Sequence, residues 1–293
     1  MCRGDRGASP QETDALPKAR TPQDLTTGAT VTTAYASEVA ARSLHTIAAF
    51  ITPLRLRLLE LLDPQPGDSV LDAGCGVGLD TSAISASLGN RGLVIGIDRD
   101  SEMVEHAKAH ALTMPGRIHP YHSVADATHL PFRSGTFDRV LAQRLLQHVD
   151  TPASILAELH RVTTPGGRLV VADCDWASLS IDVPDAQTTL ERTLVTALHT
   201  IVRSPFAGRQ LPGLFTSLRM QDLRVETHSV VWRDFDTFRH TTLSMRHTRS
   251  RLVGFGALTA EALASLFNVL AQKDTAGSFF ASATVILVSG TAR

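Results

Sequence analysis

Cysteine is scarce. The three in 293 residues, Cys2, Cys75 and Cys174, are too few and too scattered for a disulfide framework or a thiolate zinc site. That usage suits a reducing compartment, so a cytoplasmic location is expected. Neither sign of charge is in excess. With 28 Lys+Arg against 29 Asp+Glu, the chain lacks the basic footprint that a nucleic-acid binder needs to neutralise phosphates. No apolar run approaches the ~18 residues of a membrane span. Residues 1–24 are polar, carry Pro10, Pro17 and Pro22, and lack the apolar stretch of a secretory signal. They are expected to form a disordered tail ahead of a domain spanning 25–293. Aromatic residues make up only 5%. Ten of the fifteen lie after residue 175 (Trp176, Trp232 and eight Phe), a bias that either an apolar ligand chamber or a compact core would produce.

Against these shortages, 43% of residues are hydrophobic and 19% charged, enough to bury a full core. Ile51 to Leu62 repeats apolar residues at helical spacing, with Thr52 placed to cap and Pro53 in the first turn. Ser69 to Ala73 is a short apolar strand entering Gly74-Cys75-Gly76-Val77-Gly78. Strands are expected at 92–98, 118–122, 137–142 and 168–173, with helices at 79–88, 101–112 and 151–162. Such alternation implies βαβ units and a parallel sheet, and the near-continuous apolar strands imply burial on both faces. The rhythm breaks after Asp173. Residues 176–222 are more than one crossover helix requires, so an inserted lid is expected there. Leu190, Leu194, Leu198, Ile201 and Val202 share one helical face within it. A helix at 259–271 and a last strand at 279–288 close the chain.

A glycine-rich turn between strand and helix lets a ligand approach the backbone at a helix N-terminus. Two ligand classes compete, dinucleotides and S-adenosylmethionine. The dinucleotide fingerprint needs glycine at its first, third and sixth positions; the sixth here is Leu79. Asp72 also stands two residues before the first glycine, where it would repel a pyrophosphate and welcome an ammonium group. Asp98, at the tip of the second strand, is placed to accept from both hydroxyls of a ribose.

The stretch Val70-Leu71-Asp72-Ala73-Gly74-Cys75-Gly76-Val77-Gly78 resembles motif I of the class I S-adenosylmethionine-dependent methyltransferases. Later blocks follow in the family's order. They are Ala125-Asp126-Ala127-Thr128-His129-Leu130-Pro131-Phe132, Phe137-Asp138, Leu146-Gln147-His148-Val149, and the run from Leu156 to Leu169 through Pro165-Gly166-Gly167. The resemblance covers about residues 55 to 175 and is closest to the ubiquinone/menaquinone-type small-molecule branch. It implies an α/β, Rossmann-like, seven-stranded and mostly parallel sheet, its last strand antiparallel. Helical cap segments at about 34–62, 176–212 and 233–256 are expected to build an acceptor pocket. By position, Asp72 and the backbone of Gly74, Cys75, Gly76 and Gly78 would hold the amino-acid part of S-adenosylmethionine. Asp98, with Arg99 beside it, would hold the ribose, Asp126 and Ala127 the adenine, and Gln143 would face the methionine portion.

Methyl transfer is an in-line displacement in which alignment contributes ~7–11 kcal/mol, and a general base is needed only for a protonated, weakly acidic acceptor. His148, at the carboxyl edge of the sheet, is the candidate base. Asp173 and Asp175 are placed either to orient an acceptor hydroxyl or to cap a loop. Trp176, His199 and Arg239 are expected to face the acceptor; against this, His199 reads equally as a core residue. Arg239 belongs to a run with Arg233, Arg246, Arg249 and Arg251 that reads equally as a solvated face. The expected activity is methylation at O or C of a small, largely apolar metabolite, of the kind found in natural-product biosynthesis. No metal is called for, and a homo-oligomer is compatible with the sequence. The alternatives are a cofactor-binding cyclase or accessory subunit, and a nicotinamide dehydrogenase.

Overall fold

A computed structural model of the chain describes residues 51–89, 91–113, 119–185, 188–242 and 258–293. The expected tail, the start of the first cap and most of the arginine run lie outside them. Helix α1 occupies residues 51–62. Five strands follow, alternating with helices: β1 Ser69–Ala73, α2 Leu79–Ser87, β2 Leu93–Asp98, α3 Ser101–Thr113, β3 Tyr121–Val124, β4 Phe137–Gln143, α4 Pro152–Val162 and β5 Thr163–Ile181. A 3-10 turn, Leu146–His148, sits between β4 and α4. Beyond β5 come α5 Thr188–Ile201, α6 Ala207–Ser217, β6 Gln221–Trp232, α7 Phe235–Thr242, α8 Ala260–Thr275 and β7 Ala281–Thr291.

The seven strands form one sheet in the order β3-β2-β1-β4-β5-β7-β6. β7 runs antiparallel to both β5 and β6, while the β1, β2, β3, β4 and β5 pairings are all parallel. The order reverses between β1 and β4, which opens a crevice at their carboxyl ends. Alternate residues of β5 feed opposite cores. Val170, Ala172 and Cys174 join α1, α2, α5, α7 and α8 on one face; Leu169 and Val171 join α4 and α6 on the other.

The segment after Asp173 departs from expectation. β5 continues to Ile181, because β7 pairs with it from Arg168↔Thr291 to Ile181↔Ala281 across an irregularity between Asp175 and Ser180. Residues 176–181 therefore belong to the sheet. α6 buries Ala207, Leu211 and Phe215 in the second core, so it is the sheet's crossover helix and not part of a lid. α5 does present the expected apolar face, and Leu194, Leu198 and Val202 are buried with it. Five of the late aromatics form one core cluster: Phe235 lies 5.4 Å from Phe267 and 5.8 Å from Phe279, and Phe238 5.4 Å from Trp232, ring centre to ring centre.

α6 approaches β5 through Gly208, where a Cβ would lie 2.5 Å from the Asp173 carbonyl oxygen and 2.9 Å from the Cys174 carbonyl carbon. Gly213, on the exposed side of the same helix, has nothing within 4 Å of that position. Alanine favours a helix over glycine by up to about 1 kcal/mol, but overpacking against rigid backbone costs about 1–3 kcal/mol. Gly213→Ala is therefore expected to stabilise the fold and Gly208→Ala to destabilise it. Urea denaturation of both variants checks the opposite signs.

Candidate functional site

The glycine turn is built on β1. Gly74, Gly76 and Gly78 all take positive φ (78°, 52° and 78°), a region that side chains with a Cβ rarely enter. The amides of Gly74 and Cys75 both donate to the Ile97 carbonyl of β2, at 2.8 and 2.9 Å. Gly76 donates to Asp98 Oδ2 at 3.0 Å, so the ribose candidate also holds the turn. A Cβ on Gly76 would meet nothing within 4 Å; the turn is open on that side. Gly78 is closed in, a Cβ there lying 3.0 Å from Ala107 and His122. Cys75 is buried, and burial pushes its thiol above the ordinary range, which makes it a structural residue of the turn.

Asp72 is buried and its Oδ2 has no hydrogen-bond partner. Burial lifts its carboxyl well above the ordinary range, and the neighbouring Asp80 and Asp98 carboxylates add to the effect. The Thr81 amide and the Arg55 guanidinium act against it. Arg55 of α1 donates from Nε to Asp80 Oδ1 at 2.6 Å, both side chains being about seven-eighths buried (13% and 14% exposed). Its Nη2 is buried without a partner. Gln143, at the end of β4, likewise has a buried, unpartnered Nε2. An orphan carboxylate oxygen and orphan N–H donors in one crevice suit a ligand carrying an ammonium and an acceptor group. Arg55 and Asp80 were not anticipated from the sequence, although an arginine on the face of α1 that also carries Leu58 and Leu62 is an available signal.

Asp98 Oδ1 accepts from the Asp100 amide at 2.9 Å, and Arg99 beside it is exposed. Asp126 is exposed; its Oδ1 accepts from the Thr128 amide and hydroxyl, each at 2.8 Å. Those bonds hold its carboxyl below the ordinary range while Oδ2 stays open. Ala127 is buried in the second core.

On the acceptor side, Arg144 takes φ 55° and turns the chain from β4 into the 3-10 turn. Asp173 is fully buried and accepts from the Leu146 amide at 2.7 Å through Oδ2 and from the Cys174 amide at 3.2 Å through Oδ1. Of its two anticipated roles it takes loop capping. Asp175 is committed to Arg209, at 2.9 and 2.7 Å. Trp176 is buried with its indole N–H donated to Gln147 Oε1 at 2.7 Å. His199 lies edge-on to Phe206 at 5.4 Å with its Nε2 buried and unpartnered, and Arg209 stacks over the other partner, Phe206, at 5.4 Å. Ser204 donates its amide to the Gln147 carbonyl at 3.0 Å, which brings the 204–206 stretch against the His148 turn. Arg239 is exposed and paired with Asp236 at 2.7 Å, as a solvated face would be. Its companions Arg246, Arg249, Arg251 and His247 lie outside the described residues.

Half-buried His148 and buried Asp173 act oppositely on stability. Burial, with Arg144 and Arg99 adding, lowers His148 to about 4; burial raises Asp173 to about 7 against its amide donors. The unfolded chain binds the extra proton at histidine between about pH 4 and 6.5, so that contribution is lost as pH falls through the window. The native state binds it at Asp173 between about pH 4 and 7, so that contribution is lost as pH rises. Each slope is at most about 1.4 kcal/mol per pH unit. His148→Asn removes only the first. The variant is expected to be less destabilised relative to wild type at about pH 5 than at about pH 7; a pH-independent difference in urea midpoints contradicts this.

A family model described as "Methyltransferase domain" matches residues 71–171, the stretch that carries the glycine turn, Asp98, Asp126 and the His148 turn. The chain is 37% identical over 231 residues to an uncharacterized 37.1 kDa protein in transposon TN4556 from Streptomyces fradiae, covering 79% of this chain and 64% of that protein. It is 36% identical over 117 residues to the ubiquinone biosynthesis O-methyltransferase of Thiobacillus denitrificans, covering 40% of this chain and 49% of that one. The chain thus spans less than two thirds of either relative. The crystal structure of the YcgJ protein from Bacillus subtilis has the same fold, with a TM-score of 0.56 at 18% identity over 82% of this chain and 97% of that one.

Proposed function

We propose that this chain, whose residues 71–171 match a methyltransferase-domain family model, is a class I S-adenosylmethionine-dependent methyltransferase that transfers a methyl group to O or C of a small, largely apolar metabolite. The observation that carries this reading is the orphaned Oδ2 of buried Asp72 beside an open glycine turn. S-Adenosylmethionine, when bound, supplies a methyl group on a positively charged sulfonium. In this reading Asp72 holds the ammonium of its amino-acid part and Arg55 Nη2 the carboxylate. Asp98 accepts from the ribose hydroxyls, the free oxygen of Asp126 from the adenine amine, and Gln143 Nε2 donates toward the methionine chain. The acceptor enters beside the 3-10 turn, where Phe206 offers a partly exposed ring (38%) between His199 and Arg209. These residues align the acceptor and exclude water, and alignment is the larger part of the catalysis such a reaction requires.

Calorimetric titration with S-adenosylhomocysteine tests the cofactor, with NAD as the control. Binding of NAD alone overturns the reading. Incubation with methyl-labelled cofactor and a cell extract tests transfer. Tight cofactor binding with no label transferred favours a cyclase or accessory role instead.

A further inference from the structure

His148 is the candidate base of the sequence, yet its hydrogen bonding points elsewhere. An indole N–H can only donate, so the 2.7 Å contact from Trp176 Nε1 fixes which end of the Gln147 amide is oxygen. The amide nitrogen is thereby turned toward two acceptors, the Arg144 carbonyl at 3.4 Å and His148 Nε2 at 3.1 Å. Gln147 is fully buried, and turning its amide over would set the N–H₂ against the indole N–H, so Trp176 holds the orientation. The N–H₂ group has only hydrogens to offer, so His148 Nε2 must present its lone pair. The ring's one proton then sits on Nδ1. Among the described residues, Nδ1 has no hydrogen-bond partner, and it is not shut off from solvent.

We infer that His148 is a neutral hydrogen-bond donor to the methyl acceptor, its tautomer set by Trp176 acting through Gln147, and that it is not a general base. This rests on the methyltransferase reading and deepens it. A proton arriving at Nε2 would meet the Gln147 N–H₂ and displace its only acceptor on the ring. The charged groups around the turn oppose that proton as well: the Arg144 and Arg99 charges act against a cationic ring, the Asp173 carboxyl is spent on the Leu146 amide, and Asp150 is paired with Arg203 at 2.6 Å. Nδ1–H is thus offered to an oxygen of the acceptor. The acceptor class follows: an acidic hydroxyl, phenol or enol, that gives its proton to solvent and reacts as the anion. The new bond joins its nucleophilic atom to the methyl carbon as the carbon–sulfur bond breaks, the electron pair staying on sulfur; no proton passes to His148. Gln147 and Trp176 are positioning residues.

The test is long-range ¹⁵N–¹H NMR of the full chain labelled at histidine, with His148→Asn identifying the signal. The expected wild-type ring is neutral and protonated at Nδ1 from about pH 8 to about pH 5. Gln147→Glu keeps the volume and offers only an acceptor. It is expected to move the proton to Nε2 and to raise the ring's pKa into the neutral range. Trp176→Phe frees the amide to turn over, and a mixture of tautomers is expected. An Nε2–H ring in the wild type overturns the inference, as does a ring unchanged by Gln147→Glu. The spectra need no cofactor, so a protein that fails to bind S-adenosylhomocysteine defeats the methyltransferase reading while leaving the tautomer result to be judged alone.

Discussion

Asp98→Ala is expected to weaken binding of S-adenosylhomocysteine by a factor of about 100 to 10,000 while the fold survives. Asp98 ends β2 at the mouth of the crevice. One oxygen accepts from Gly76 and the other from Asp100, and each oxygen keeps a second lone-pair direction for a ribose hydroxyl. Hydrogen bonds to a charged group contribute about 1.5–3 kcal/mol each, so losing two gives the stated range. The Gly76 amide also loses its acceptor, which loosens the turn on its open side. The backbone carbonyl of Asp98, which receives the Ala125 amide at 3.0 Å, is unaffected, so β2 and the start of the next loop stay paired. Asp98→Asn keeps an acceptor for Gly76 and removes the charge, and is expected to fall between alanine and wild type. Near-normal affinity of Asp98→Ala in calorimetry would overturn the ribose assignment.

The place of this aspartate beside the glycine turn is legible in the sequence because its signal is local: a strand, a glycine turn and an acid at the tip of the next strand. The same holds for β1, β2 and β4, whose apolar runs and flanking turns suffice to find them; β3, expected at 118–122, is the polar, mostly exposed stretch Tyr121–Val124. What was misread depends on partners far along the chain. β5 was expected to stop at Asp173, since Asp-Cys-Asp looks like a strand end. It runs eight residues further, to Ile181, because β7, more than a hundred residues later, supplies the pairing. The helical pattern of α6 does not say which surface it covers, so periodicity alone leaves its start in a lid; the mark of close approach is Gly208, which periodicity ignores. The aromatic bias has two sufficient causes, and only ring contacts assign Trp232, Phe235, Phe238, Phe267 and Phe279 to the core. The tautomer of His148 was out of reach for the same reason. It is set by Trp176, on a strand that had not been extended that far.

Arg55→Met is expected to destabilise the protein by about 3–5 kcal/mol, the range for removing one partner of a buried ion pair. The methionine fills most of the arginine's volume, so the loss is electrostatic. Asp80 is left buried with no cation at 2.6 Å, and the Asp72 carboxyl, already raised by burial and by its acidic neighbours, loses the Arg55 charge as well. Both carboxyls then titrate higher in the folded state than in the unfolded one. Their contribution is lost as pH rises above about 4, so the variant is expected to suffer more at about pH 8 than at about pH 5. Adding Asp80→Leu removes the stranded charge, and buried pairs replaced on both sides by apolar groups are often no less stable than the original. The double variant should therefore regain most of the lost stability. It should not regain cofactor affinity, because Nη2 and its orphaned hydrogens are gone with Arg55. A double variant that is stable and binds S-adenosylhomocysteine like wild type would confine Arg55 to a structural role, linking α1 to α2 and nothing more.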